Sequence, residues 1–464
     1  MTAPLAVALT DTLAAARMFE STSGERLEGV ALRAHADRVA AALAAHGVAP
    51  HEPVHVRVGN RPADLAALLG IWLAGAVAVP IQAAAVPATV ARLQQRTKAR
   101  FGVDGERIDM LAASAPPARP LLEGAALVIF TSGSTGEPKG VVIGHERFAG
   151  KLAVLDRLLG VRPDDVVLMP LQMAFIFGLW VALMRGARLV VVPKFSRDAI
   201  AHGLRDATVL AGVPSMFRTL LADGAPPAPH LRAIFTGGEI LSPKLAAAMG
   251  SFANAAIYDL YGLTETGSCD FCVPPALQPA ALGTIGKPTE GVAFRIVQDG
   301  AAVAPGETGE LQIRTPFGML GYFDDPTLTQ SSFADGYFKT GDLARITPDG
   351  FVQLVGRAKD MVSRGGIKIA PLEIDHLLAA HPGIAAALCA GVPDDRLGEV
   401  IHAVVVPRAG AQLDQAALRD WMLARTEPHK VPEVFHIRDS LPVGGTGKAD
   451  RRAVAALARA IAVI

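Results

Sequence analysis

The residues best suited to chemistry lie in Leu127-Val-Ile-Phe-Thr-Ser-Gly-Ser-Thr-Gly-Glu-Pro-Lys-Gly140, an apolar run that opens into small, hydroxylated and glycine residues and ends in one lysine. Gly133 and Gly136 let backbone N–H groups approach an anion closely. Thr131, Ser132, Ser134 and Thr135 offer hydroxyl donors, and Lys139 adds a point charge. That combination suits phosphate. A Walker-type loop needs Gly-Lys followed by a hydroxyl, whereas Pro138 precedes Lys139 here and Gly140 follows it, so a Walker-type kinase is disfavoured. Further candidates lie downstream: Glu239 in TGGE, Asp259, Tyr261 and Glu265 in YDLYGLTE, Asp342 in YFKTGD, Arg357 in GRAKD, and Lys448 in GGTGK. No G-x-S-x-G elbow is present, and no Ser/His/Asp set can be argued from the sequence. His145, just after the loop, is expected to pack or cap rather than act as a base. Cys269 and Cys272 form a C-x-x-C that could be a redox pair or half a zinc site. With no second pair or nearby histidine, two small apolar residues beside a pocket are the better reading.

These segments need a scaffold. At 464 residues, with 51% hydrophobic and 19% charged residues, the chain exceeds one ordinary core and should form a large unit plus a smaller one. Lys+Arg and Asp+Glu balance at 44 each, so no overall field attracts nucleic acid or an anionic membrane, and any anion site must be local. Three cysteines in so long a chain argue against a disulfide framework and for a reducing compartment, with the cytoplasm as the default. The N-terminus does not read as a secretory signal. The uncharged stretch Leu65 to Ile81 approaches membrane-spanning length. Gly70, Gly75 and Pro80 make it a buried helix followed by a strand instead.

Leu32, Ala36, Val39 and Leu43 share one helical face, and Gly47 is placed to end that helix. Val54, Val56 and Val58 alternate as a strand. Helix Leu65 to Leu73 and strand Val77 to Val79 continue a βαβ rhythm, which recurs at Ala187 to Val192, Thr208 to Ala211 and Leu231 to Phe235. The fold class is therefore α/β, a large N-terminal domain (residues 1–358) of helix-covered, mostly parallel sheets. From about 283 to 358 the texture turns β-rich with glycine-rich hairpins. Residues 359–464 read as a small α+β domain, with a helix at Pro371 to Ala380, strands at Ile384 to Val392 and Val400 to Val406, and a helix at Leu413 to Thr426.

TSGSTGEPKG resembles the phosphate-loop signature of the adenylate-forming superfamily of acyl-CoA synthetases, peptide-synthetase adenylation domains and luciferases. TGGE (Thr236 to Glu239), YDLYGLTE (Tyr258 to Glu265), YFKTGD (Tyr337 to Asp342), GRAKDMVSRGGIKIAPLEI (Gly356 to Ile374) and GGTGK (Gly444 to Lys448) match further motifs in order, so the resemblance covers essentially the whole chain. It implies that Thr131 to Lys139 hold the β- and γ-phosphates of ATP, and that Gly238, Glu239, Asp259, Leu260, Tyr261 and Gly262 line the adenine pocket. Glu265 would help hold Mg²⁺, and Asp342 would accept both ribose hydroxyls. Arg357 would contact ribose or phosphate. Lys448, with Thr264 and Glu265, would form the catalytic set, the lysine bridging the acid's carboxylate and the α-phosphate. Lys359 occupies the hinge position of a small mobile C-terminal domain, and Arg364, Gly365, Gly366 and Lys368 would face the path of the thiol. By the same resemblance Met173, Phe175, Ile176 and Phe177, with Gly262, line the acyl pocket. Ile176 stands where amino-acid-activating relatives place an aspartate, so an α-amino acid is disfavoured, and the histidine that many acyl-CoA synthetases carry in this segment is missing. The implied activity joins a small apolar acid, aromatic or medium aliphatic, to AMP and then to CoA, or alternatively to the phosphopantetheine of a carrier protein.

Overall fold

The computed structural model describes residues 9, 17–20, 24–131, 138–173, 179–222, 224–442 and 449–461. Leu32, Ala36, Val39 and Leu43 are all buried on one face of the helix Gly29–Ala45, which stops at His46 and turns away through Gly47 at φ +72°. The next helix, Pro62–Leu73, is buried on nearly every side, and this accounts for the unbroken apolar run that begins at Leu65. Gly70 is where the two helices meet, since a Cβ there would lie 2.6 Å from the Cβ of Val39. Gly75 then turns the chain into the strand Val77–Gln82. Among the described residues no helix is long and apolar enough to cross a membrane.

Two α/β sheets share one core. In a seven-stranded sheet Val77–Gln82 and Pro53–Val58 run parallel, as do Pro53–Val58 and Phe101–Asp104. In a nine-stranded sheet Ala256–Tyr261, Ala233–Gly237, Val209–Gly212, Val166–Met169, Arg188–Val191 and Arg17–Glu20 are parallel neighbours in that order. Val56 and Leu127 from the first sheet and Met169 and Phe235 from the second belong to the same buried cluster as Trp72 and Trp180. The apolar runs are continuous because both faces of these sheets are covered.

The β-rich portion is an antiparallel sheet of Ala293–Gln298, Gly309–Arg314, Tyr337–Ile346 and Val352–Arg357 with short edge strands. It is stitched into the other two. Lys287–Pro288 extends the nine-stranded sheet, and Gly321–Tyr322 pairs with Lys139–Gly144 in the seven-stranded one. Towards the C-terminus, Ile384–Asp394 and Gly398–Pro407 form the long pair of a five-stranded sheet with its own buried cluster, covered by the helices Pro371–Ala379, Gln415–Leu423 and Arg451–Ile461.

Candidate functional site

The apolar strand Ala125–Thr131 does not run into a helix. It pairs antiparallel with Lys139–Gly144, and Thr131 lies opposite Lys139. The strands on either side of the glycine-hydroxyl segment are thus antiparallel partners, whereas a Walker loop leads from a strand into a helix. Ser132, Gly133, Ser134, Thr135 and Gly136 lie outside the described residues. The hairpin arms are closely braced: a Cβ on Gly140 would sit 2.8 Å from the Cβ of Phe323. Arg96 reaches across from the helix Pro87–Thr97 and donates to the carbonyl of Pro138. Arg96, Lys139, Gly140, Tyr322 and Asp325 help line a cavity of about 240 Å³ beside the hairpin.

Tyr322 joins that hairpin to a second signature segment. Lys139 Nζ lies 5.5 Å from the centre of the Tyr322 ring, and the Tyr322 hydroxyl donates to Glu265 Oε1 at 3.1 Å. Burial, and then Glu265, push the Tyr322 hydroxyl above the usual phenol range. Glu265 sits in the one-turn helix Thr264–Thr266, and its carbonyl accepts from Met319 N at 2.8 Å. Gly262 and Gly267 are required by close approach: a Cβ would lie 2.3 Å from Cys269 N at the first and 2.4 Å from Phe317 O at the second.

Asp342 is the focus of a third convergence. The Tyr261 hydroxyl donates to Asp342 Oδ2 at 2.5 Å, and Arg357 Nε lies 2.8 Å from Oδ1. Asp342 and Arg357 are directly paired across neighbouring strands. Asp342 is 3% exposed, and burial raises its carboxyl above the usual range against the pull of Arg357 and Tyr261. A carboxylate has roughly four acceptor sites, so both oxygens keep capacity for further donors. Tyr261 itself turns its hydroxyl to Asp342, and its ring makes a T-shaped contact with Phe271.

TGGE and YDLYG span the C-terminal ends of the adjacent parallel strands Ala233–Gly237 and Ala256–Tyr261, the place where α/β sheets bind ligands. Gly238 is exposed at φ +80°. Glu239 is anchored by Ser215 Oγ at 2.6 Å, Ser215 N at 3.1 Å and Arg218 Nη2 at 2.9 Å. Leu260 is buried, and burial pushes the Asp259 carboxyl up to about 7. Thr264 is half-buried beside Glu265.

Met173 is wholly buried, its N–H on Asn60 Oδ1 at 3.2 Å and its carbonyl on Trp180 Nε1 at 3.0 Å. Phe175, Ile176 and Phe177 lie outside the described residues, as does Lys448. The ends of the stretch holding Lys448 are joined by Asp450 N to Pro442 O at 2.9 Å. Lys359 is exposed in the short helix Ala358–Asp360. Arg364 turns into the C-terminal sheet, donating to His429 O at 2.8 Å, Val431 O at 3.2 Å and Glu433. Gly365 and Gly366 make the adjoining turn at φ +57° and +86°, and Lys368 is exposed. His145 lies edge-on to Trp72 at 5.5 Å, its Nδ1 has no hydrogen-bond partner among the described residues, and burial lowers its pKa to about 4. It packs. Cys269 and Cys272 are free and buried, and burial pushes the Cys269 thiol up to about 12. Among the described residues no cluster of three His, Cys, Asp or Glu could hold a metal.

Tyr322 and Arg96 were not legible as site residues, since neither stands in a motif that carries chemistry. Tyr322 is found through its contacts with Lys139 and Glu265.

Residues 6–323 match the family described as AMP-binding enzyme, and residues 373–448 match the AMP-binding enzyme C-terminal domain. A sulfoacetate–CoA ligase of Cupriavidus necator is 31% identical over 92% of this chain and 92% of its own. A fatty acid–[acyl-carrier-protein] ligase of Streptomyces coeruleorubidus is 32% identical over 70% of this chain and 66% of its own. The ATP-bound crystal structure of MatB from Rhodopseudomonas palustris superposes with a TM-score of 0.87 at 26% identity, covering 99% of this chain and 100% of that one. The chain belongs to the AMP-binding, adenylate-forming enzyme family.

Proposed function

We propose that the protein is an AMP-forming acid–thiol ligase. A carboxylate oxygen attacks the α-phosphorus of ATP and pyrophosphate leaves, giving an acyl-adenylate. The thiol of CoA then attacks the acyl carbon and AMP leaves, giving a thioester. The observation that carries this reading is the linkage of four segments remote in sequence: Lys139 to Tyr322 to Glu265 on one side, and Tyr261 to Asp342 to Arg357 on the other, with Tyr261 ending the strand that leads directly to Glu265.

The first step brings together two anions, and their repulsion must be offset by positive groups in fixed positions. In this reading the Thr131–Lys139 tip, with Ser132, Gly133, Ser134, Thr135 and Gly136, holds the β- and γ-phosphates. Asp342 accepts the ribose hydroxyls, and Arg357 supplies a planar donor fork beside them. Gly238, Glu239, Asp259, Leu260 and Gly262 flank the base, and Lys448 bridges the two reacting anions. Glu265 would hold Mg²⁺, which when bound neutralises phosphate charge. A lone carboxylate fits an ion that takes its other ligands from phosphate and water. No protein nucleophile takes part. Arg364, Gly365, Gly366 and Lys368 border the approach of the thiol.

The acid is small and apolar, aromatic or medium aliphatic, because the apolar Phe175, Ile176 and Phe177, which follow the core residue Met173, would give a wall that rewards hydrocarbon burial. Three free, buried cysteines fit a reducing compartment, and we place the enzyme in the cytoplasm. The carrier-protein-acylating relative favours a second reading, in which phosphopantetheine on a carrier protein replaces CoA. An acid panel with ATP and Mg²⁺, scored by pyrophosphate release and then by thioester formation, tests both. CoA thioester formation supports the first, acylation of a carrier protein but not CoA supports the second, and no release with any acid refutes both.

A further inference from the structure

The turn that carries Glu265 passes through three consecutive residues of positive φ: Gly267 at +83°, Ser268 at +63° and Cys269 at +53°. Serine and cysteine enter this region only where their surroundings over-determine the backbone. Here a buried ion pair supplies the constraint. Lys151 Nζ, from the helix His145–Leu159, lies 3.1 Å from Asp270 Oδ1, and both side chains are 0% exposed. The same ammonium donates to Cys269 O at 3.4 Å and lies 5.2 Å from the Phe317 ring centre. The second Asp270 oxygen accepts from the Thr266 hydroxyl, whose oxygen accepts Leu263 N at 3.2 Å. Asp270 N donates to Tyr261 O at 2.7 Å, and Thr289 Oγ1 to Cys269 O at 3.0 Å.

A buried ion pair is a weak device for stability, because apolar residues of similar size often serve as well or better. What apolar residues cannot reproduce is direction. The ammonium fixes the Cys269 carbonyl, and the carboxylate fixes the Thr266 hydroxyl one residue from Glu265. The helix that carries Lys151 begins where the phosphate-hairpin strand Lys139–Gly144 ends.

We propose that Lys151 and Asp270 are a positioning pair for adenylation, locking the 261–270 turn so that Glu265 and Tyr261 meet the phosphate hairpin and Asp342. The inference rests on the acid-activating reading above. Neither residue touches a reacting atom.

The experiment compares wild type, Asp270→Asn and the apolar double variant Lys151→Met/Asp270→Leu by thermal unfolding and by acid-dependent ATP–pyrophosphate exchange. A double variant as stable as wild type, with kcat lower by about 100-fold and a KM for the acid that moves far less, is the expected result, since misplacement far from the chemistry can cost that much. Wild-type kcat in that folded double variant overturns the proposal. Should the double variant not fold, Asp270→Asn decides: a fall in kcat at unchanged Tm supports positioning, and a wild-type kcat overturns it. Absence of exchange in the wild type with every acid instead brings down the acid-activating reading, and the proposal with it.

Discussion

Asp342 receives a phenol hydroxyl and a guanidinium while almost wholly buried, an arrangement that keeps a carboxylate oriented in a low-dielectric site. Asp342→Asn replaces a charged acceptor by a neutral amide. A hydrogen bond to a charged group contributes about 1.5–3 kcal/mol, so kcat/KM for ATP should fall roughly 10- to 100-fold, measured by pyrophosphate exchange, and an unchanged value would refute the ribose role. Asp259 yields a prediction with a definite sign. Burial pushes its carboxyl up to about 7, against about 3.9 in an unfolded chain. Below pH about 4 both states carry the proton and the residue is neutral to stability. Between about 4 and 7 the unfolded state gives up its proton first, so stability falls as pH rises. Asp259→Asn should therefore raise Tm above wild type at pH 8, with the gap closing towards pH 4. An equal gap at both pH values would contradict this account.

Elements explain why some of the site was legible and some was not. Apolar periodicity marks the helix Gly29–Ala45, which buries one face, and short apolar runs mark the strands Pro53–Val58 and Ala233–Gly237, which are covered on both faces. The hairpin form of the phosphate segment was not legible. Its second arm, Lys139–Gly144, is too short to declare a pairing partner, and its neighbour Gly321–Tyr322 arrives from nearly two hundred residues away. Gly262 lies where two chain segments touch. Gly262→Ala must push Cys269 aside, and overpacking of this kind costs about 1–3 kcal/mol, so Tm and exchange rate should both drop. A variant with wild-type values would show that the turn has slack. At the proposed domain boundary near 358, Lys359→Pro restricts the backbone rotation expected of a hinge. It should spare pyrophosphate exchange and slow thioester formation. Equal loss of both half-reactions would refute a hinge role.

At the scale of the whole molecule, the candidate site is assembled from segments near residues 131, 239, 265, 342 and 357, carried by three sheets. Six ordered motifs made the family and the α/β class readable before any coordinates. The cross-connections were not, since Tyr322, Arg96, Lys151 and Asp270 owe their importance to partners that are close in space and distant in the chain. Charge follows the same logic. The overall balance of 44 basic and 44 acidic residues leaves no global field, so in the proposed reading the attraction of a triphosphate falls to local groups such as Lys139 and Arg357. The most direct test is a crystal structure with bound ATP and Mg²⁺. The expected result is β- and γ-phosphates within hydrogen-bond distance of the 131–139 segment, with the ribose hydroxyls on Asp342. Phosphates bound elsewhere, with the hairpin tip far from any of them, would contradict it.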